Sequence, residues 1–179
     1  LRAAGAPDAW ALVADLDDRP ALRATIAAHL ATAGAIHVLV NSAGIRLPDA
    51  KMGELFIDDL EEMKKLLFLD PSNPIIKLAM PSHLEDPRIL HWLRAREATA
   101  RVGWNPYLHN PRLPAHLRRL ECPTLVLWGR HDKLIPLAHG EYLAKAISGA
   151  KLEIFNNSAH MLPFEQPVEF AERVKAFVL

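Results

Sequence analysis

The chain of 179 residues has one cysteine, Cys122, so no internal disulfide can form. Cys122 lies just before an apolar run, with no histidine at a matched spacing, and reads as a packed thiol. Charge of neither sign prevails, with 21 basic and 21 acidic residues. That balance excludes a strong electrostatic footprint for nucleic acid. The local basic run 112–119 reads as a solvated helix face. No apolar run approaches the ~18 residues of a membrane-spanning helix, so no membrane is expected. The nine histidines are scattered, without H-E-x-x-H or a Cys/His cluster, so no metal and no other cofactor is expected. His29, His37, His83, His91, His109, His116, His131 and His139 read as surface or helical-block residues. The first ten residues, LRAAGAPDAW, hold no Met and no signal-type apolar region. The expectation is a cytoplasmic protein whose sequence looks cut from something longer.

What is present suits a folded domain. Half the residues are hydrophobic and 23% are charged, a globular composition on a chain long enough for one core. Residues 11–16 (ALVADL) and 36–40 (IHVLV) are short apolar runs that read as buried strands. Between them Leu22, Ile26 and Leu30 form one helical stripe, which Gly34 ends. A strand–helix–strand unit of this kind favours a parallel sheet. From Ile45 the texture changes. Leu55 to Leu69 has helical spacing, with acids early and Lys64 and Lys65 late, as the helix dipole prefers. A second helical stretch covers 87–102, and 103–114 reads as irregular. No strand is expected between 46 and 122.

After Pro123 the chain alternates again. TLVLW (124–128) reads as a strand covered on both faces. A helix follows from Pro136 to Gly149, then a strand over 152–155, then a last helix from Pro167. Asp132 and His160 fall a few residues beyond these two strands. The carboxyl ends of parallel strands are where ligand and catalytic groups gather. An aspartate beside a histidine holds the imidazole in one tautomer and stabilises the imidazolium that forms when it takes a proton. Asp132 and His160 are therefore the candidate acid and base.

PTLVLWGRHDKLIP and FNNSAHMLPFEQPVEFAERVKAFV together resemble the C-terminal third of the α/β-hydrolase superfamily. The resemblance implies that Asp132 is the triad acid and His160 the triad base. VLVNSAGIRLPDAKMGELF looks like the strand and loop after the nucleophile helix. Residues 50–118, with GWNPYLHNPRLPAHL, look like the helical cap, so about 36–179 is covered. The family's nucleophile elbow, G-x-S-x-G, is not found: none of Ser42, Ser72, Ser82, Ser148 and Ser158 has glycine on both sides. Ser42 has Gly44 after it but Val40 before it. A less favoured alternative is an aspartate nucleophile at Asp15 or Asp17, although ADLDDRP lacks the small residues of a strained turn.

LVADLDDRPALRATIAAHLATAGAIHVLVNSAGI resembles a short-chain dehydrogenase/reductase over about 10–45. That resemblance would set Asp15 against an adenine ring and Asn41-Ser42-Ala43-Gly44 after the fourth strand. The Gly-rich pyrophosphate turn and a Y-x-x-x-K pair are lacking, so a working dinucleotide site is not expected. The expected fold is α/β, a partial hydrolase-like parallel sheet of about four strands with a helical cap insertion. Its expected parts are a strand–helix–strand segment at 1–45, a cap at 46–118 and a core at 119–179. The expected function is hydrolysis of an ester or carbon–carbon bond in a small-molecule substrate, weak or absent in this chain alone. The alternatives are a reductase remnant or a non-catalytic interaction module. Self-association through an exposed sheet edge is a further expectation.

Overall fold

The structure, a computed structural model, describes residues 44–121 and 123–178. The strands expected at 11–16 and 36–40 lie outside these residues, as do Asp15, Asp17, Ser42 and Cys122. Among the described residues the sheet has two parallel strands, β1 (Leu125–Gly129) and β2 (Lys151–Phe155). Their register runs from Leu125 opposite Lys151 to Gly129 opposite Phe155. The apolar runs thus form the strands expected of them, each displaced by one residue at one or both ends.

Among the described residues four helices precede β1. The first, α1 (Leu60–Leu67), begins at Leu60 and not at Leu55 as the spacing suggests, because Asp59 caps it. The Asp59 carboxylate accepts hydrogen bonds from the Glu61 and Glu62 amides at 2.7 and 3.2 Å. A side-chain cap of this kind contributes about 1 kcal/mol. The next helices are α2 (Ile76–Ala79), α3 (Ile89–Gly103) and α4 (Leu113–Leu117). α2 is a single turn where the sequence suggests no element, and α4 falls within the basic run 112–119, expected as a helix face.

Before α3, Asp86 accepts from the Arg88 side chain and from the Arg88 and Ser82 amides. These bonds, the Arg88 side chain's first, hold the Asp86 carboxyl far below the usual carboxylate range. The stability they contribute is full above the ordinary carboxyl value of 3.8 and is lost as pH falls toward the folded-state value.

Between β1 and β2 runs α5 (Leu137–Ala146), and after β2 come α6 (Leu162–Glu165) and α7 (Pro167–Val178). α5 stops at Ala146, three residues before Gly149, whose φ of 72° places it in the turn into β2. Trp128 at the end of β1 is buried and donates from its indole Nε1 to the Ile135 carbonyl at 3.0 Å. Around it pack Leu108, Val126, Leu134 and Ile135, with Leu143 and Leu152 at the margin. A second apolar cluster joins Met63, Phe68, Ile76 and Met80 to Met161 and Phe164, which follow His160. Complete burial of a side chain such as Phe68 or Phe155 contributes about 1.5–3 kcal/mol. The helical block and the C-terminal core thus share an apolar interior.

His139 departs from its expected surface or helical-block place. It is 2% exposed on α5, and its Nδ1 lies 3.0 Å from the Pro136 carbonyl. Polar links also cross between the two regions. The Tyr107 hydroxyl accepts from the Leu55 amide at 2.7 Å and donates to the Gly53 carbonyl at 2.8 Å. Gly53 in turn donates to the Leu134 carbonyl at 2.7 Å. Burial pushes the Tyr107 phenol above its ordinary pKa. Tyr107→Phe leaves the Leu55 amide and the Gly53 carbonyl without this partner. The expected loss is about 1–3 kcal/mol in urea unfolding. A loss under ~0.5 kcal/mol would show that solvent replaces the hydroxyl.

Candidate active site

Asp132 stands three residues beyond β1, in a loop tied to the carboxyl end of β2. The Arg130 amide donates to the Phe155 carbonyl at 2.9 Å, and the His131 amide to the Ser158 carbonyl at 3.0 Å. Gly129 lets the two loops touch. A Cβ there would sit 2.1 Å from the Ala159 carbonyl oxygen and 2.7 Å from that of Ser158.

The Asp132 carboxylate is divided between two tasks. Oδ1 accepts from the Leu134 and Ile135 amides at 2.9 and 2.8 Å, which fixes the turn toward α5. Oδ2 faces His160 Nδ1 at 3.0 Å. The Asp132 side chain is 4% exposed and that of His160 15%. The carboxylate is thus shielded, which strengthens its hold on the ring, while the imidazole keeps access to solvent. Nδ1 is engaged by the carboxylate, so Nε2 is the nitrogen on which a proton can be taken up. The two residues expected from the sequence are therefore brought together in the orientation an acid–base pair requires.

The His160 loop is held from both sides. The His160 and Met161 amides donate to the Leu67 carbonyl, the last residue of α1, at 3.0 and 3.1 Å. Arg130 Nε donates to Asn156 Oδ1 at 2.6 Å. The Glu165 carboxylate accepts from Ser158 Oγ, the Ala159 amide and the Leu69 amide. No motif in the sequence points to Glu165. Its one signal is an acid five residues after the histidine, directly after the apolar residues 161–164.

Among the described residues no serine hydroxyl is hydrogen-bonded to the His160 ring. Ser158 is fully buried with its hydroxyl on Glu165, and the Ser72 hydroxyl bonds Asp70. Beside Leu67 lies a pocket of about 170 Å³, lined in part by Phe56, Met63, Trp92 and Arg96. Arg96 spends its guanidinium on the Leu55 and Ile57 carbonyls and sits 4.7 Å over the Trp92 ring. Among the described residues no three His, Cys, Asp or Glu side chains converge on a metal position. No described helix is long and apolar enough to cross a membrane.

Parallel strands joined by a helix, with an Asp–His pair at their carboxyl ends, define an α/β protein of the hydrolase type. Residues 57–167 match the alpha/beta hydrolase fold family, and the chain belongs to it. It is 27% identical over 139 residues to the 2-hydroxy-6-oxononadienedioate/2-hydroxy-6-oxononatrienedioate hydrolase 2 of Pseudomonas putida, covering 75% of this chain and 46% of that protein. A hydrolase of the same name from Klebsiella pneumoniae is 27% identical over 128 residues, covering 72% and 40%. The chain thus spans less than half the length of these relatives.

Among solved structures, a thermophilic esterase from Thermogutta terrifontis aligns with a TM-score of 0.50 and 25% identity, over 66% of this chain and 42% of that one. A membrane phospholipase A shares the fold, with a TM-score of 0.51 and 22% identity over 65% of this chain and 36% of that one. These proteins give no support to the reductase-like reading of residues 10–45.

Proposed function

We propose that this chain carries the acid and base of a hydrolase that cleaves an ester or carbon–carbon bond, with Asp132 as acid and His160 as base. The single observation that carries the reading is the 3.0 Å approach of Asp132 Oδ2 to His160 Nδ1 at the carboxyl ends of β1 and β2. In this reading His160 Nε2 takes the proton of a nucleophilic hydroxyl as it attacks the substrate carbonyl. Asp132 stabilises the imidazolium, and the same proton passes to the leaving group. Residues 46–118 act as the cap over the site and 119–179 as the core.

The chemistry named for the Pseudomonas putida relative, a 2-hydroxy-6-oxo dienedioate, supports a small acidic substrate that carries a ketone. The described residues offer no nucleophile hydroxyl bonded to His160, so the nucleophile is proposed to come from a G-x-S-x-G turn that this sequence lacks. Activity of the chain alone is proposed to be weak.

The test supplies an N-terminal hydrolase half bearing that turn and follows p-nitrophenyl acetate and a 2-hydroxy-6-oxo dienoate. Hydrolysis is expected in the mixture and is expected to fall by ~10³ with His160→Ala, the scale of a lost general base. Equal rates for the chain and the variant would overturn the assignment.

A further inference from the structure

We infer that Glu165 is a positioning residue that sets the His160 imidazole against Asp132. The inference rests on the proposed acid–base reading of that pair. Glu165 closes α6, the single turn after His160, and its carboxylate folds back onto chain on both sides of the histidine. Oε2 accepts from Ser158 Oγ and from the Ala159 amide, both at 2.8 Å. Oε1 accepts from the Leu69 amide at 2.6 Å.

Ser158 and Ala159 immediately precede His160, and neither is accessible to solvent. Leu69 lies two residues beyond Leu67, whose carbonyl accepts from the His160 and Met161 amides. One carboxylate therefore grips the segment that leads into the histidine and the segment that receives its backbone.

Three donors converge on this group, and an ionised carboxylate accepts from all of them. Glutamine supplies one oxygen and one donor, so it satisfies one side and opposes the other. Aspartate is one methylene shorter and cannot span both. The placement matters because a shift of about 1 Å in a catalytic group can cost ~10² in rate. α6 is too short to need a carboxylate at its last residue, and the Glu165 carboxylate's hydrogen bonds go to Leu69, Ser158 and Ala159, not to Asp132 or the imidazole.

The test reads the His160 tautomer in the full chain, apart from any turnover. Uniformly ¹⁵N-labelled protein is studied by long-range imidazole correlations at a pH well above the ordinary histidine value. The His160 signals are assigned by their loss in His160→Gln, and circular dichroism follows the fold. The unaltered chain is expected to show one His160 tautomer, with the proton on Nδ1. Asp132→Asn is expected to abolish it. If that variant leaves the tautomer unchanged, the acid–base reading itself fails, and the inference with it.

With that control in place, Glu165→Ala is expected to give a folded protein whose His160 is a tautomer mixture. A folded Glu165→Ala with the single Nδ1–H form intact overturns the positioning role while sparing the pair. Should Glu165→Ala fail to fold, Glu165→Gln decides by the same signal: a mixture supports the inference, and an unchanged tautomer overturns it. Loss of fold in both variants assigns Glu165 to the fold alone and overturns it too.

Discussion

Gly129→Ala is expected to cost at least ~3 kcal/mol and to separate Asp132 from His160. Added volume in a packed site costs about 1–3 kcal/mol, occasionally more, when neighbours can move. Here they are poorly placed to move. The Cβ would meet the carbonyl oxygens of Ala159 at 2.1 Å and of Ser158 at 2.7 Å, both backbone atoms. The Ser158 carbonyl already accepts from the His131 amide, and the Ala159 amide is held by Glu165. Relief of the clash requires the acid loop or the histidine loop to leave its bonds. Urea unfolding measures the stability, and the His160 imidazole signals report the separation. A loss below ~1 kcal/mol with the tautomer intact would show that the loops slide past one another and that this contact does not set the pair.

Much of the C-terminal arrangement was legible because local patterns and tertiary need coincide there. LVLW is a continuous apolar run, and its Val126 and Trp128 pack with Leu108, Leu134 and Ile135. Asp132 and His160 were readable as positions since a parallel sheet sends successive loops to one end. Their 3.0 Å approach was not, because it depends on a contact between Gly129 and Ala159 across loops 30 residues apart. In the helical block the apolar spacing from Leu55 extended past the true start of α1, since Asp59 sets the boundary through its hydrogen bonds and not through periodicity.

The stretch 103–114 read as irregular, yet it is fixed by links that no residue pattern announces. Leu108 is buried with a φ of 46°, a conformation uncommon for a non-glycine residue. Its amide donates to the Gly103 carbonyl, and its carbonyl accepts from Gly44. His139 misled for a similar reason. Its polarity suggested exposure, whereas α5 turns it inward and the Pro136 carbonyl meets its Nδ1. Burial set by tertiary packing, as at Leu108 and His139, is the feature a one-dimensional pattern records least well.

Asp132→Asn is expected to leave the fold nearly intact and to lower hydrolysis by ~10⁴ in the assembled enzyme, the scale seen when a triad histidine is held in the wrong tautomer. One carboxylate oxygen serves the backbone and the other serves the imidazole. Asparagine can keep its carbonyl on the Leu134 and Ile135 amides. Its amide nitrogen then faces His160 Nδ1 as a donor. The ring must present a lone pair there and carry its proton on Nε2, the atom that has to accept the nucleophile's proton. Stability should fall by no more than ~1 kcal/mol, since one neutral hydrogen bond replaces a charged one. Asp132→Ala should behave differently. It strips the acceptor from two backbone amides in a buried turn and is expected to cost about 1–3 kcal/mol for each. Urea unfolding and p-nitrophenyl acetate turnover on both variants separate the two tasks. A rate for Asp132→Asn within tenfold of the unaltered protein would remove Asp132 from the acid's role and leave it as the anchor of the loop that leads into α5.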